Sequence, residues 1–223
     1  MLAALWLVYS VGPDVHLGYS QKIFYFHVGT AWNAFLAFFV TFVYSVLYLI
    51  RRNRRFDNMA RAAAEVGLLF TTLVLITGSI WGRSAWNTWW SWEPRLTTTL
   101  VLWFIYFVYA MLRGSELSWE RKALICAVIG IVGFVDVPIV FVSVTWWQSL
   151  HPVVLGPEGG GVSPAMVPPM LTSFLAFTAL FFYFWGLRSA IEHTQVRLIQ
   201  LRERIENEAT PPATGHLPSA PRS

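Results

Sequence analysis

The sequence predicts an all-α protein that crosses a membrane as a helical bundle of about six spans. Its 223 residues are 56% hydrophobic and 17% aromatic, and only 13% are charged, against about 25% in typical soluble domains. Mean hydropathy is +0.52. The apolar residues come in long unbroken runs and do not alternate with polar ones, so a β-barrel is disfavoured. The composition therefore excludes a soluble enzyme and a disordered chain.

Apolar runs set the expected spans, because a helix needs about 20 apolar residues to cross a bilayer. Five runs qualify or come close: 23–50, 62–80, 96–112, 123–144 and 167–187. The first residues, 1–11, are apolar but too short to cross. They form an interfacial segment or a first span that is short or truncated, whereas a signal peptide is disfavoured because no basic region precedes them.

The basic residues indicate the orientation. Of the sixteen Lys and Arg residues, all except Lys22, Arg83 and Arg95 lie in 51–61, in 113–122 or beyond residue 187. By the positive-inside rule these regions are cytoplasmic. The segments expected on the other side are 12–22, 81–95 and 145–166. We therefore expect a membrane domain over 1–187, a charged cytoplasmic helix over 188–208 and a disordered tail over 209–223.

A tryptophan-rich segment lies on the expected outer side. Residues 81–97 contain Trp81, Trp86, Trp89, Trp90 and Trp92. An aromatic belt is one interpretation, since Trp concentrates at membrane interfaces, but a belt spreads over both faces. The other interpretation is a platform for a large flat apolar ligand, because indoles supply wide and rigid contact area. Basic residues in or beside the segment would then bind acidic groups of that ligand.

Two histidines from different spans are expected beside this segment. His27 lies near the outer end of the first long span, and His151 lies just beyond the outer end of the fourth. Neutral imidazole binds haem iron, and two imidazoles can bind it from opposite faces. A haem also has flat faces for the indoles and propionates for Lys22, Arg83 or Arg95. One ligand thus accounts for the Trp, the His and the basic residues.

Three other positions carry open interpretations. Asp136 is a mid-span carboxylate, a functional candidate by default, or a protonated group bonded to a carbonyl freed by the Pro138 kink. Glu65 either reaches the cytoplasmic surface or pairs with an Arg of the preceding loop. The single cysteine, Cys126, excludes an internal disulfide framework. The chain also lacks a Gly-x-x-x-x-Gly-Lys-[Ser/Thr] motif, so it cannot power transport by ATP hydrolysis itself.

The residues around the Trp segment resemble a known signature. The runs Thr77-Gly78-Ser79-Ile80-Trp81-Gly82 and Trp89-Trp90-Ser91-Trp92-Glu93-Pro94-Arg95-Leu96-Thr97, with Trp86 between them, are similar to the tryptophan-rich motif of haem-handling proteins of cytochrome c maturation. With six expected spans and one His on each side of the motif, the chain resembles the haem exporter protein C family of the bacterial system I pathway. The resemblance covers roughly residues 20–187.

That resemblance implies haem b bound at the periplasmic face of the bacterial inner membrane, with His27 and His151 as axial iron ligands and the Trp segment as a shelf. The implied partners are a periplasmic haem chaperone, the membrane and ATPase subunits of an ABC transporter, and a small single-span membrane subunit. Nucleic acid is not among them. The family favours a haem-binding assembly and export factor over an enzyme, and a role in covalent attachment of haem to the chaperone stays open.

The chain departs from the family pattern at a few positions. Glu93 stands where the family usually has Asp, Asn87 where it has Gly, and Asp136 where Asn is common; none of these removes a ligand. Two alternative functions would each need further features. A transporter of another substrate would need broken polar helices at mid-membrane, and a quinol-oxidising cytochrome b would usually need more intramembrane histidines than this chain has.

Overall fold

The computed structural model describes residues 1–14, 18–146 and 163–209, and these contain six α-helices and no strand. The helices are α1 (Leu2–Ser10), α2 (Gln21–Arg51), α3 (Arg54–Trp86), α4 (Pro94–Arg113), α5 (Trp119–Trp146) and α6 (Val167–Ala209), with a 3-10 turn at Pro164–Met166 before α6. The predicted all-α class is confirmed.

Five of the helices, α2 to α6, are long and apolar enough to cross a membrane. Each contains one of the five apolar runs of the sequence. The remaining helix, α1, has nine residues and is therefore about 14 Å long, roughly half of the 30 Å hydrocarbon core. Its buried side chains, Ala4 and Val8, face the bundle, and it packs against α6 and α2.

Helix α2 occupies the centre of the bundle, where it contacts α3, α5 and α6. Small residues let the helices approach closely, as in other membrane bundles. A Cβ added to Gly67 of α3 would lie 2.6 Å from the Phe38 ring of α2, and one added to Gly130 of α5 would lie 2.8 Å from Ser45 Oγ. Phe38 also stacks on Tyr106 of α4, with ring centroids 3.7 Å apart.

The bundle has two ends with different chemistry. At the tryptophan end, where α2 begins and α3 finishes, Phe24 packs against Trp81 with ring centroids 6.1 Å apart. At the arginine end, where α3 begins and α4 finishes, the Arg113 guanidinium donates to Asp57 through Nη1 at 2.9 Å and Nη2 at 2.5 Å. The arginine-rich region 51–61 of the sequence thus lies at the end of the bundle opposite to the Trp segment.

Helix α3 is longer at both ends than the apolar pattern predicts. Only Arg52 and Asn53 separate it from α2, with Arg52 in the left-handed region at φ 50° and Asn53 capping α3 by accepting from Arg55 N at 2.9 Å. Most of the expected loop 51–61 is therefore helical. At its other end α3 continues to Trp86, so the Trp segment begins as helix and only its middle part is a loop.

Helix α6 is also longer than the predicted span. Its 43 residues form one unbroken helix of about 64 Å, so the charged helix expected over 188–208 continues directly from the last membrane span. Residues 210–223 lie outside the described residues, and the predicted disorder of the tail stays a prediction.

Glu65 joins α3 to α6 through ion pairs. It binds Arg61 Nε at 2.9 Å and Arg188 Nη2 at 3.1 Å, and Glu192 pairs with Arg61 at 3.0 Å and with Arg188 at 2.6 Å. Pairing with an Arg, one of the two interpretations of Glu65, is thus the one observed. The four side chains form a closed ring of alternating charge at the arginine end.

Asp136 lies in α5, which passes through Pro138 without a break. The Oδ2 atom of Asp136 is buried and has no hydrogen-bond partner among the described residues. The expected hydrogen bond to a carbonyl freed by Pro138 is therefore not made by this oxygen.

Candidate functional site

His27 lies in the second turn of α2 and packs against α3. Its Nδ1 atom is 3.0 Å from Thr77 Oγ1. A Cβ added to Gly78 would lie 3.0 Å from His27 Cε1, so the ring is in close contact with the α3 backbone. The imidazole is half-buried. His27, the predicted iron ligand, is thus held at the tryptophan end of the bundle. Its partner Thr77 lies one helical turn before Trp81 in α3.

The five tryptophans of the segment form two groups. Trp81 is 5% exposed and belongs to a buried cluster with Phe24 and Tyr25 of α2 and Met170 of α6. Trp86 packs edge-to-face on Trp81, with ring centroids 5.1 Å apart. This first group packs the helices of the tryptophan end together.

The second group lies in the loop between α3 and α4. Trp89 and Trp92 are 60% and 75% exposed, far more than the indole of Trp81. Trp90 packs edge-to-face on Trp92 with ring centroids 5.7 Å apart. The exposed indoles of Trp89 and Trp92 offer flat apolar area to a ligand or partner, whereas the buried indole of Trp81 does not.

Local hydrogen bonds hold this loop in place. Asn87 ends α3 in the left-handed region at φ 57°. The Arg83 guanidinium donates through Nη1 to the Asn87 backbone oxygen and to its Oδ1, each at 2.6 Å. Thr88 Oγ1 donates to the Trp90 carbonyl at 2.9 Å. The positive charge of Arg83 is therefore used to terminate α3.

The two other predicted cations differ from each other. Lys22 Nζ donates to the Tyr9 carbonyl at the end of α1 at 2.8 Å, and it lies over the rings of Tyr9 and Tyr19. The Arg95 guanidinium, in the first turn of α4, donates no hydrogen bond to another described residue, and the carboxylate of Glu93 attracts it electrostatically. Of the three, Arg95 is the cation best placed to bind an acidic group of a ligand.

Two buried donors in the loop also lack partners. Trp90 Nε1 and Ser91 Oγ are inaccessible to solvent and make no hydrogen bond within the described part of the chain. Buried polar atoms are almost always paired in native structures. A ligand with carboxylate acceptors, such as the propionates of haem, fits these donors and the neighbouring Arg95.

The second predicted iron ligand, His151, lies outside the described residues, so its pairing with His27 stays a prediction. Within the described ranges no group of three His, Cys, Asp or Glu side chains could hold a metal ion. Sequence reasoning missed the roles of Thr77 and Tyr9, the partners of His27 and Lys22. A signal for Thr77 exists in the sequence, since it precedes Trp81 by four residues and therefore shares its helix face.

A comparison with known protein families shows to which family the chain belongs. A family model described as "Heme exporter protein C" matches residues 1–204. The chain belongs to the heme exporter protein C family. This confirms the resemblance drawn from the Trp motif and the histidines, and it extends the match from residues 20–187 to nearly all of the described chain.

Individual relatives agree with the family model. The heme exporter protein C of Bradyrhizobium diazoefficiens is 34% identical over 194 residues, which cover 85% of this chain and 74% of that protein. The Escherichia coli K12 protein of the same name is 32% identical over 178 residues, 79% of this chain and 71% of that protein. A mitochondrial protein of Marchantia polymorpha named for cytochrome c biosynthesis is 35% identical over 198 residues, 87% and 82% of the two chains.

Proposed function

We propose that this protein binds haem at its tryptophan end and presents it for the assembly of c-type cytochromes. The observation that carries the proposal is the position of His27, fixed against α3 beside the Trp segment in a member of the heme exporter protein C family. Relatives named for heme export and for cytochrome c biosynthesis support the same reading.

Haem is the cargo of this site, and the described residues offer each of its parts a contact. The His27 imidazole is a ligand for the iron. The exposed faces of Trp89 and Trp92 suit the porphyrin plane. Arg95 and the unpaired donor of Trp90 suit the propionates. His151 is the proposed second axial ligand, and the haem is haem b because non-covalent binding keeps it transferable.

The charge distribution supports an orientation for this site. Arg51, Arg52, Arg54, Arg55, Arg113 and Arg188 lie at or near the arginine end. Under the positive-inside rule that end faces the cytoplasm. The tryptophan end then faces the periplasm of a bacterial inner membrane, where the proposed recipient is a periplasmic haem chaperone. An ABC transporter pair and a small single-span subunit are the other proposed partners.

The alternative, a transporter of another substrate, has no support from the helices. Such transporters bind their substrates where helices break near the bilayer midplane. Here α5 is continuous past Pro138, and α2, α3 and α4 are unbroken as well. The Oδ2 atom of Asp136 is buried without a hydrogen-bond partner among the described residues, but the helix that carries it is not interrupted there.

Visible spectroscopy of the purified protein tests the proposal. The wild type, supplied with haem, is expected to show a Soret band, and His27→Ala and His151→Ala are each expected to shift or remove it. His193→Ala, an exposed histidine in the extension of α6, is the matched control and should keep the wild-type spectrum. Absence of haem binding by the wild type refutes the function. Wild-type spectra for both ligand variants refute the assignment of the ligands.

A further inference from the structure

The hydrogen bonds of Thr77 determine which nitrogen of His27 carries a proton. Thr77 Oγ1 lies 2.7 Å from the Leu73 carbonyl oxygen and 3.0 Å from His27 Nδ1. A hydroxyl has only one proton to donate. If that proton pointed to Nδ1, two oxygens would face each other at 2.7 Å without a hydrogen between them. The proton therefore goes to the Leu73 carbonyl, and Nδ1–H donates to Thr77 Oγ1.

We infer that Thr77 is a positioning residue that holds His27 in the tautomer with its lone pair on Nε2. This inference rests on the proposed function, because the lone pair matters only if His27 binds iron. A metal-bound histidine usually donates its other ring N–H to a fixed acceptor, which sets the tautomer and the ring orientation. Gly78 contributes to the same end, since its missing side chain leaves room for Cε1 of the ring.

The hydrogen bond also affects the electronic properties of the ligand. Donation from Nδ1 increases the basicity of the imidazole, and a more basic axial ligand stabilises ferric over ferrous iron. Removal of the acceptor is therefore expected to weaken haem binding and to raise the midpoint potential of bound haem. A residue that only packed helix α3 would have no reason to change that potential.

Three variants of the full-length protein test the role of Thr77. Thr77→Val keeps the shape but removes the acceptor, and its haem affinity is expected to fall about 10- to 100-fold, with a higher midpoint potential. Thr77→Ser keeps the hydroxyl and should restore both values. Ser79→Ala is the matched control, because Ser79 Oγ donates to the Leu75 carbonyl at 2.9 Å in the same way but makes no hydrogen bond with His27.

The outcomes separate this inference from the proposed function. If the wild type binds haem through His27 while Thr77→Val keeps its affinity and potential, the positioning role is wrong and the function stands. If Ser79→Ala changes both values as much as Thr77→Val, the effect belongs to the helix and the inference also fails. If the wild type binds no haem, the proposed function fails first.

Helix α6 extends beyond its membrane span, far from His27 and the Trp segment. Its residues 197–206 are all exposed. They include Leu198 (59% exposed), Leu201 (53%) and Ile205 (65%), which continue the line of Leu187 and Ile191. The spacing of three, four and seven residues places these side chains on one helix face. We call this face the tail stripe.

The charges beside the tail stripe restrict its partner. In heptad terms Arg197 and Arg204 occupy one flank and Arg202 the other. Glu203 and Glu206 lie at positions away from both flanks, and Glu208 lies on the line of the stripe one turn beyond Ile205. Among the described residues Arg202 pairs only with Glu206 of its own helix, and both are highly exposed, so that pair contributes little. A second copy would place Arg197 opposite Arg202 if parallel, or opposite Arg204 if antiparallel, and like charges on the flanks oppose pairing.

We propose that the tail stripe docks an amphipathic helix of a partner protein whose flanking positions carry Asp or Glu. Acidic flanks would meet three arginines, and the apolar seam would cover the exposed leucines and isoleucine. The position of the stripe supports a protein partner over a lipid surface. The helix runs about 64 Å without a break, so its last part extends beyond a hydrocarbon core of about 30 Å.

Photo-cross-linking in the source cells tests this proposal. A benzoylphenylalanine is placed at Leu198 in the full-length protein, with Gln200 on the opposite helix face as the matched control. The expected result is an adduct from Leu198 only, with the cross-linked peptide identified by mass spectrometry as part of an acidic amphipathic helix. Reversal of Arg197 and Arg204 to Glu is expected to lower the yield about tenfold by charge repulsion.

Several results would overturn the proposal. A cross-link between two copies of this chain would show that the stripe pairs with itself, and adducts with lipid alone would show that it lies on the membrane. Equal yields at Leu198 and Gln200 would show that the partner does not bind the stripe face of the helix. A yield unchanged by the charge reversal would show that the arginines do not select the partner.

Discussion

Arg113 of α4 binds both carboxylate oxygens of Asp57 of α3 at the arginine end of the bundle. The same guanidinium donates from Nη2 to Tyr109 Oη at 2.7 Å. The side chains of Arg113 and Asp57 are 6% and 2% exposed, so water hardly solvates the two charges and each is stabilised mainly by the other. The pair links the start of α3 to the end of α4.

Loss of one partner from this pair is expected to destabilise the protein. Asp57→Asn leaves a buried guanidinium without its counter-charge, which in comparable sites lowers the free energy of unfolding by about 3–5 kcal/mol. Thermal unfolding of the detergent-solubilised protein measures the effect. Arg202→Ala is the control, because the Arg202–Glu206 pair is exposed and worth less than about 1 kcal/mol. Equal stability of the two variants would contradict the assignment of Asp57.

The tryptophans are expected to separate into structural and ligand-facing residues. Trp81→Ala opens a cavity in a buried cluster and should cost about 3–5 kcal/mol of stability. Trp89→Ala and Trp92→Ala remove exposed rings, so the melting temperature should stay near the wild-type value while haem affinity falls. Unfolding and haem titration on the same samples measure both. A stable Trp81→Ala variant, or full haem affinity without the exposed rings, would contradict this division.

The basic residues should likewise separate into one that binds the ligand and one that serves the fold. Arg95→Gln is expected to lower haem affinity about 10- to 100-fold through loss of a charged hydrogen bond to a propionate. Arg83→Gln removes a cation that is already bound to Asn87, so the direct loss of affinity should be smaller. Titration with haem, and with a porphyrin whose propionates are esterified, isolates the charge effect. The assignment fails if Arg83→Gln loses more of the propionate-dependent affinity.

Cysteine labelling tests the orientation. The single native cysteine, Cys126, is buried, so it should not react with a membrane-impermeant maleimide. Ser84→Cys at the tryptophan end should be labelled in intact cells whose outer membrane is permeabilised. Ser118→Cys, in the connection between α4 and α5, should be labelled only after the inner membrane is opened. The reverse pattern would place the tryptophan end in the cytoplasm.

The apolar pattern predicted the five long helices but not where they end. Hydropathy indicates which residues lie in lipid, and helices such as α3 and α6 continue beyond it into polar residues. Asn53 begins α3 by capping it, and Arg83 ends it by binding Asn87. These are local side-chain bonds that an average over an apolar window does not register.

The sequence predicted the type of the candidate site and its residues, and helix packing determined which contacts each of those residues makes. Residue types at particular spacings pointed to His27, the Trp segment and a few cations as parts of one haem site. Lys22 turned out to bind the Tyr9 carbonyl and Arg83 the end of its own helix, which leaves Arg95 as the remaining cation. Which charge is used locally depends on neighbours brought together by folding.

By itself the sequence determined the membrane class, the five long apolar helices, the charge asymmetry and the family of this protein, because composition, periodicity and motif spacing are properties of the chain alone. Only the tertiary structure decided that His27 meets Thr77, fifty residues away, and that Trp81 is core while Trp92 is exposed. The reason is physical: a hydrogen bond or a buried surface requires two elements at contact distance, and helix packing sets that distance.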